Sequence, residues 1–437
     1  MKVSVVGSGY VGSVTAACLA ELGNDVVCAD VDERKVRLLN SGKAPIYEPG
    51  LDELVRRNVA RRRLSATTDL EGAVSGSELT FICVGTPSKR SGETDLSFVH
   101  SAARGIGKAL RKKRERHLVV VKSTVPPGTC ETLIPLIARE SGKKAGRDFG
   151  VASNPEFLRE GNAVADFFEP DRIVVGTNNR SDERLLLRLY SGIKAPILRT
   201  NTRTAEMIKY ASNAFLAAKV SFINEVANIC ERLGIDVYDV AEGMGHDKRI
   251  GRRFLNAGAG FGGSCFPKDV RSLSFIARSV GYTPRVIEAI LGVNERQPLR
   301  MVEMARKELG GLKGKRIAVL GLAFKPDTDD VREAPALKII LALVREGARV
   351  AAYDPAAEGN ARKVLGRRGI TYAGSVAEAL RGADACLIVT EWREFSRLGS
   401  GDFRTMRNPL VIEGRRILRS TRMKGVRYRG IGRIPYG

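Results

Sequence analysis

A chain of 437 residues with 72 Lys and Arg against 49 Asp and Glu carries a formal charge of +23. Its length exceeds one ordinary core, so two or three domains are expected. No apolar run approaches the roughly eighteen residues of a membrane span, seven unevenly spaced cysteines exclude a complete disulfide framework, and three scattered histidines offer no metal-ligand spacing.

The chain opens on "KVSVVGSG", a β-branched strand pattern ending in glycine. No basic-then-apolar leader precedes it, so a cytoplasmic protein is expected. "TAACLAELG" has helical spacing and a glycine stop at Gly23, and "DVVCAD" is a second strand. Between them lies "GSGYVG", Gly7 to Gly12, and Asp30 follows at the end of the second strand. Strand, glycine run, helix and acidic residue together form the dinucleotide-binding fingerprint. Gly7 permits the turn, Gly9 admits the pyrophosphate over the helix N-terminus, and Gly12 permits close packing. Asp30 would accept from a ribose diol and repel a 2′-phosphate, so NAD is expected rather than NADP.

"CVGTP" (83–87) and "VKSTVPPGT" (121–129) end further strands. Ligands of parallel sheets bind beyond strand carboxyl ends. Thr86, Ser123 and Thr124 are therefore candidate contacts, with turn formation as the alternative. "HLVVVKSTV", "GVASNP" and "DRIVVGT" continue the strand–helix alternation, which implies a doubly wound parallel α/β sheet. From Thr204 to Leu233 the chain has no glycine or proline and strong helical periodicity, predicting a helix about 45 Å long that joins domains and offers a face to a second subunit. The last third repeats the first: "GKRIAVLGLAF", "ARVAAYDP" and "GADACLIVTEW" parallel the opening strands in order. Its first loop lacks the full glycine fingerprint, so it is not expected to hold a dinucleotide in the same way. The fold class is thus two Rossmann-like doubly wound domains joined by a long central helix, with segments 1–200, 201–305 and 306–437.

The charge suggests either a nucleic-acid or anionic-surface binder or an enzyme of anionic nucleotides. Its basic runs (56–63, 111–117 and 415–433) lack the interleaved aromatics a single-strand binder uses. They read as solvated faces, and no nucleic-acid partner is expected. Six cysteines lie in apolar contexts: Cys18, Cys28, Cys83, Cys130, Cys230 and Cys386. Cys265 differs, in "GAGFGGSCFPKD" (258–269). Gly260, Gly262 and Gly263 allow close backbone approach to a ligand, and Lys268 would favour a thiolate. In a nicotinamide enzyme a thiol can trap an aldehyde as a hemithioacetal, which on losing a second hydride becomes a thioester. A small core cysteine in a glycine turn is the alternative.

The motifs "GSGYVG", "CVGTP", "STVPPGT", "NPEFLREG" (154–161), "EMIKYASNAFLAAKVSFINE" (206–225), "RIGRRFLNAGAGFGGSCFPKDV" (249–270), "GLAFKPDTDDVREAP" (321–335) and "VTEWREF" (389–395) occur in one order. In this the chain resembles the UDP-glucose dehydrogenase family, within the UDP-glucose/GDP-mannose dehydrogenase group, over essentially its whole length. The resemblance implies an NAD-binding Rossmann domain, a central helix forming a homodimer core and a C-terminal UDP-sugar domain. It implies a four-electron oxidation in which UDP-glucose, two NAD and water give UDP-glucuronate and two NADH.

It also implies residue roles. Cys265 resembles the nucleophile. Lys209 and Asn213, four apart on one helix face, resemble the pair that contacts the reacting sugar and stabilises oxyanion charge. Asp269 resembles the carboxylate that works with that lysine and water. Glu156 resembles a water-activating group, Glu160 one that approaches the nicotinamide, and Thr124 one that orients water and cofactor. Gly7, Gly9, Tyr10, Val11, Gly12, Asp30, Lys35, Thr86, Lys268 and Arg332 match cofactor positions. Glu156 to Glu160, including Phe157, Leu158 and Arg159, match substrate positions, as do Phe254, Leu255, Asn256, Ala257, Gly258, Gly262 and, for the pyrophosphate, Lys325. Arg249 resembles an arginine reaching a partner's substrate. Arg415 resembles a phosphate contact, although "EGRRIL" departs from the family's usual Asp-Gly-Arg-Asn. Serine before Cys265 and the "GAGFGG" loop favour UDP-glucose over UDP-N-acetyl-hexosamines and GDP-mannose. A two-electron β-hydroxyacid dehydrogenase would lack the thiol loop.

Overall fold

The computed structural model describes residues 1–418 and 423–433. Residues 419–422 of the basic run 415–433, and 434–437 at the end of the third expected segment, lie outside the described residues. The chain packs as two units, Met1–Ser212 and Asn213–Gly437, and the division falls inside one helix, Thr202–Leu233. Its 32 residues correspond to about 48 Å.

In the first unit eight strands form one sheet: β1 (Lys2–Val6), β2 (Asp25–Ala29), β3 (Leu64–Thr67), β4 (Leu79–Ile82), β5 (His117–Val121), β6 (Phe149–Ser153), β7 (Ile173–Thr177) and β8 (Ile197–Thr200). Their order is β3-β2-β1-β4-β5-β6-β7-β8. All pairs run parallel except β6 with β7. Every residue of β4, β5 and β6 is buried, as expected when helices cover both sheet faces. A buried polar thread crosses these strands: Ser4 Oγ lies 2.6 Å from Thr80 Oγ1, which lies 2.8 Å from His117 Nε2, and His117 Nδ1 lies 3.1 Å from the Ser77 carbonyl. Order reverses between β1 and β4, the switch point where such sheets bind ligands.

The second unit repeats this design with β9 (Arg316–Leu320), β10 (Arg349–Tyr353), β11 (Ile370–Tyr372), β12 (Ala385–Ile388), β13 (Leu410–Glu413) and β14 (Arg427–Gly430). The order is β11-β10-β9-β12-β13-β14, all parallel. Gly321 after β9 has φ +94°, close to the +96° of Gly7 after β1. The two loops then differ in use. Asp354, the counterpart of Asp30, is buried, and its Oδ2 accepts from Leu322 N, Ala323 N and Trp392 Nε1. Within this unit Ala214 and Ala217 of the long helix pack with Phe261, Val270 and Ile290, which seats the thiol loop on that helix. No helix among the described residues is long and apolar enough to cross a membrane.

Candidate active site

In the first unit the glycine run is shaped by close approaches. A Cβ on Gly7 would sit 2.9 Å from the Cys83 carbonyl oxygen, and one on Gly12 only 1.8 Å from that of Gly7. Gly9 opens into empty space, with nothing within 4 Å of a Cβ. That clearance at the N-terminus of the Tyr10–Glu21 helix fits a pyrophosphate. Asp30 accepts from Ser8 N and Ser8 Oγ, both at 2.6 Å, and from Asp32 N at 2.9 Å. Burial alone would raise its pKa, but these bonds and the charge of Lys35 hold it below the usual carboxylate range. It therefore presents an ionised acceptor at the end of β2. Lys35 is on the helix Glu33–Asn40, whose N-cap is Asp32.

Tyr10 and Val11 begin the Tyr10–Glu21 helix. Tyr10 hydrogen-bonds Glu48, and burial, then Glu48, pushes its phenol far above its ordinary pKa. Glu48 also accepts from Gly161 N and Ala163 N, each at 2.7 Å. Glu48 thus ties the glycine run to the "NPEFLREG" segment. No sequence signal marked it; a carboxylate in "IYEPG" reads as surface charge, yet it is 6% exposed. Thr86 is buried, Ser123 Oγ donates to the Val84 carbonyl at 2.7 Å, and Thr124 is half-buried.

Glu156 and Lys209 form a buried ion pair at 2.9 Å, with side chains 7% and 4% exposed. Leu158 N also donates to Glu156. The Phe157 ring lies beneath both Lys209 Nζ, at 5.4 Å, and the Arg172 guanidinium, at 3.8 Å. Glu160 is half-buried, and its charge reaches Tyr10. Arg159 is exposed and paired with Asp166.

In the second unit Cys265 is the N-cap residue of the Phe266–Ser279 helix, with Pro267 in its first turn. The N-terminus of a helix favours a thiolate. Cys265 is partly exposed, whereas the other six cysteines are free and buried. Burial pushes those thiols up, Cys83 to about 12. Asp269, one turn on, donates its backbone N–H to the Cys265 carbonyl at 2.8 Å. Its carboxylate accepts from Asn213 Nδ2 and pairs with Lys268 Nζ, both at 2.6 Å.

The glycines of the loop have a reason that spacing did not reveal. A Cβ on Gly262 would lie 2.5 Å from the Glu333 carbonyl oxygen, and one on Gly263 (φ +86°) 2.7 Å from the Phe324 ring. Gly263 N donates to the Arg332 carbonyl. The space a side chain would need at 262 and 263 is thus taken by the chain's own 324–334 segment. Gly258 is crowded in the same way by Gly414 and Arg415, and Arg415 donates to the Gly260 carbonyl while pairing with Glu391. Leu255 and Ala257 are buried, Phe254 has φ +66°, and Asn256 accepts from Arg252. Lys325 Nζ lies over the Phe324 ring. Arg249 and Arg332 pair with Asp247 and Asp330. No three metal-ligating side chains cluster among the described residues.

Family models match three stretches of this chain: the NAD binding domain over residues 1–194, the central domain over 203–296 and the UDP binding domain over 318–420 of the UDP-glucose/GDP-mannose dehydrogenase family. This chain belongs to that family. Among its relatives, the UDP-glucose 6-dehydrogenase TuaD of Bacillus subtilis is 47% identical over 435 residues, covering 99% of this chain and 93% of that protein. The UDP-glucose 6-dehydrogenase AglM of Haloferax volcanii is 48% identical over 437 residues, covering 99% and 100%. The solved UDP-glucose dehydrogenase of Pyrobaculum islandicum superposes with a TM-score of 0.93 at 45% identity, covering 99% and 97%. The UDP-D-ManNAc dehydrogenase of Pyrococcus horikoshii superposes at 0.88, covering 99% of each chain, with 31% identity. As a UDP-glucose/GDP-mannose dehydrogenase, the chain carries the glycine run and Asp30 in its NAD binding domain, Cys265 and Asp269 in its central domain, and Lys325, Arg332 and Arg415 in its UDP binding domain.

Proposed function

We propose that this chain is a UDP-glucose 6-dehydrogenase that oxidises the sugar's primary alcohol to a carboxylate. The observation that carries the four-electron chemistry is Cys265, partly exposed at a helix N-terminus while every other cysteine is buried. The choice of UDP-glucose is supported by 47–48% end-to-end identity to proteins of that activity, against 31% to the acetylated-sugar enzyme.

NAD, held by the glycine run and Asp30, supplies the hydride acceptor for each of two oxidations. Asp269, paired with Lys268 and oriented by Asn213, takes the alcohol proton. Lys209 and Asn213 polarise the resulting aldehyde oxygen. The Cys265 thiolate adds to the carbonyl carbon, and the oxyanion is held by the same two donors. Loss of the second hydride leaves an acyl group on Cys265. Glu156 then takes a proton from water as its oxygen bonds to the acyl carbon. Collapse breaks the C–S bond and releases the acid and the thiolate.

The protein is proposed to act as a homodimer through the long helix. Phe215, Phe222 and Ile229 recur every seven residues on it and are 67%, 52% and 51% exposed, an apolar stripe that a second copy would cover. A reducing cytoplasm suits seven free thiols.

The test counts NADH released per sugar consumed, with UDP-glucose, UDP-N-acetyl-hexosamines and GDP-mannose as substrates. Two per UDP-glucose is the expected result; one, or a preference for another sugar, sinks the reading. Cys265→Ser is expected to lose acid formation by at least about a hundredfold, and retained turnover would remove the thiol mechanism.

A further inference from the structure

Lys122 is a lysine that the chemistry above does not use, and it is buried at 4% exposure. It follows the last residue of β5, just as Asn154 follows the last residue of β6, and the final rung between those strands is Val121 with Ser153. Beyond that rung side chains take over. Lys122 Nζ donates to Asn154 Oδ1 at 2.9 Å and approaches the Asn154 carbonyl at 3.5 Å and Tyr190 Oη at 3.3 Å. Tyr190 Oη in turn donates to Asn154 Oδ1 at 2.6 Å, and Asn154 Nδ2 donates to the Val174 carbonyl on β7 at 2.8 Å. The rings of Phe81 and Tyr190 lie 5.5 and 5.8 Å from the ammonium. No carboxylate pairs with it among the described residues.

A buried ammonium without a carboxylate is a costly way to fill a space walled by two aromatic rings. A methionine would fill it and make favourable sulfur–ring contacts. Asn154 Oδ1 would keep the Tyr190 hydroxyl as donor. The fold therefore does not need the charge, and a buried charge that the fold does not need points to function. Asn154 stands two residues before Glu156, at the root of the "NPEFLREG" segment. Its Oδ1 accepts from both Lys122 Nζ and Tyr190 Oη, so the lysine supplies one of the two bonds that turn Nδ2 towards β7 and fix how the segment leaves β6. The buried Cys83 thiol feels both charges, Lys122 lowering and Glu156 raising its pKa, which puts lysine and carboxylate in one neighbourhood.

We propose that Lys122 is a positioning residue for Glu156: through Asn154 it sets the Glu156 carboxylate for the water attack that hydrolyses the Cys265 acyl-enzyme. The step is the one written above. Water's oxygen bonds to the acyl carbon, its proton passes to Glu156, and the C–S bond breaks. This rests on the dehydrogenase reading, so the parent protein is assayed first. A parent that fails to give two NADH per UDP-glucose ends that reading and not this one specifically.

With an active parent, Lys122→Met is measured for thermal midpoint, steady-state constants, the NADH burst and intact mass after quenching with acid. The expected result is a midpoint equal to or above that of the parent, KM for NAD and UDP-glucose within about threefold, and kcat lower by about tenfold or more. The burst of NADH is retained, and the added mass of the acylated sugar nucleotide is found on the protein and is absent from Lys122→Met/Cys265→Ser. Unchanged kcat overturns the proposal. So does a slow burst without acyl-enzyme, which would place the lysine in the hydride steps. A protein that fails to fold or melts well below the parent also overturns it, because the ammonium would then be structural.

Discussion

His117 begins β5 inside the polar thread, and its imidazole is pulled down to about 3 by burial, then by the charge of Lys113, against the bond to Ser77. It is neutral in the folded chain, while in the unfolded chain it protonates below about 6.5. The unfolded state therefore binds more protons between those values, and stability is lost as pH falls from about 6.5 towards 3. The loss attributable to this one side chain is on the order of 5 kcal/mol over that whole range. Thermal midpoints of the parent and His117→Gln between pH 7 and pH 4.5 check this. The parent should lose more on acidification, and parallel curves would absolve His117. Asp30 acts at the same scale. Asp30→Asn keeps its shape and removes the charge that the Ser8 and Asp32 donors hold in place. KM for NAD should rise about tenfold, worth about 1.4 kcal/mol, with KM for UDP-glucose unchanged. A similar rise for both would mean that the loop had collapsed.

At the scale of elements, loops are shaped by what packs against them. The β1 turn is possible because Gly12 brings its helix within contact of the Gly7 carbonyl. Gly12→Ala puts a methyl 1.8 Å from that backbone oxygen, which no rotamer can relieve. A stability loss of about 2–3 kcal/mol and loss of NAD binding by calorimetry are expected. Normal NAD affinity would show that the helix can retreat without cost. The thiol loop follows the same logic with different neighbours, since its glycines accommodate Phe324 and Glu333. The nucleophile's helix is thereby placed by the segment that carries Lys325 and Arg332.

The whole molecule joins two doubly wound units through a helix whose apolar stripe is left exposed by the described residues. Phe222→Glu puts a charge in the middle of that stripe. Sedimentation should show the parent at twice the chain mass of 47.5 kDa and the variant at the single mass at micromolar concentration. A variant that remains dimeric would move the interface elsewhere. The charge of +23 is the excess of Lys and Arg over Asp and Glu, and surface ion pairs such as Arg56 with Glu53 and Arg306 with Glu346 cancel within themselves. These contribute little each and belong to no one site.

The sequence by itself determined what depends on neighbours in the chain. Strand–helix alternation, the turn at Gly7, the carboxylate at the end of β2 and the uninterrupted long helix all follow from backbone sterics and short-range periodicity. Those signals were legible because the physics behind them acts over a few residues. Tertiary structure decided which side chains meet. It paired Lys209 with Glu156, 53 positions away, and Asn213 with Asp269, 56 positions away. It gave Glu48 the task of holding residues 161–163 and filled the space over Gly262 and Gly263 with the 324–334 segment. It also enclosed Lys122 beside Asn154, a lysine that the sequence shows only as one of 72 basic residues. Burial and side-chain direction are set by packing between distant segments, so no local pattern encodes them.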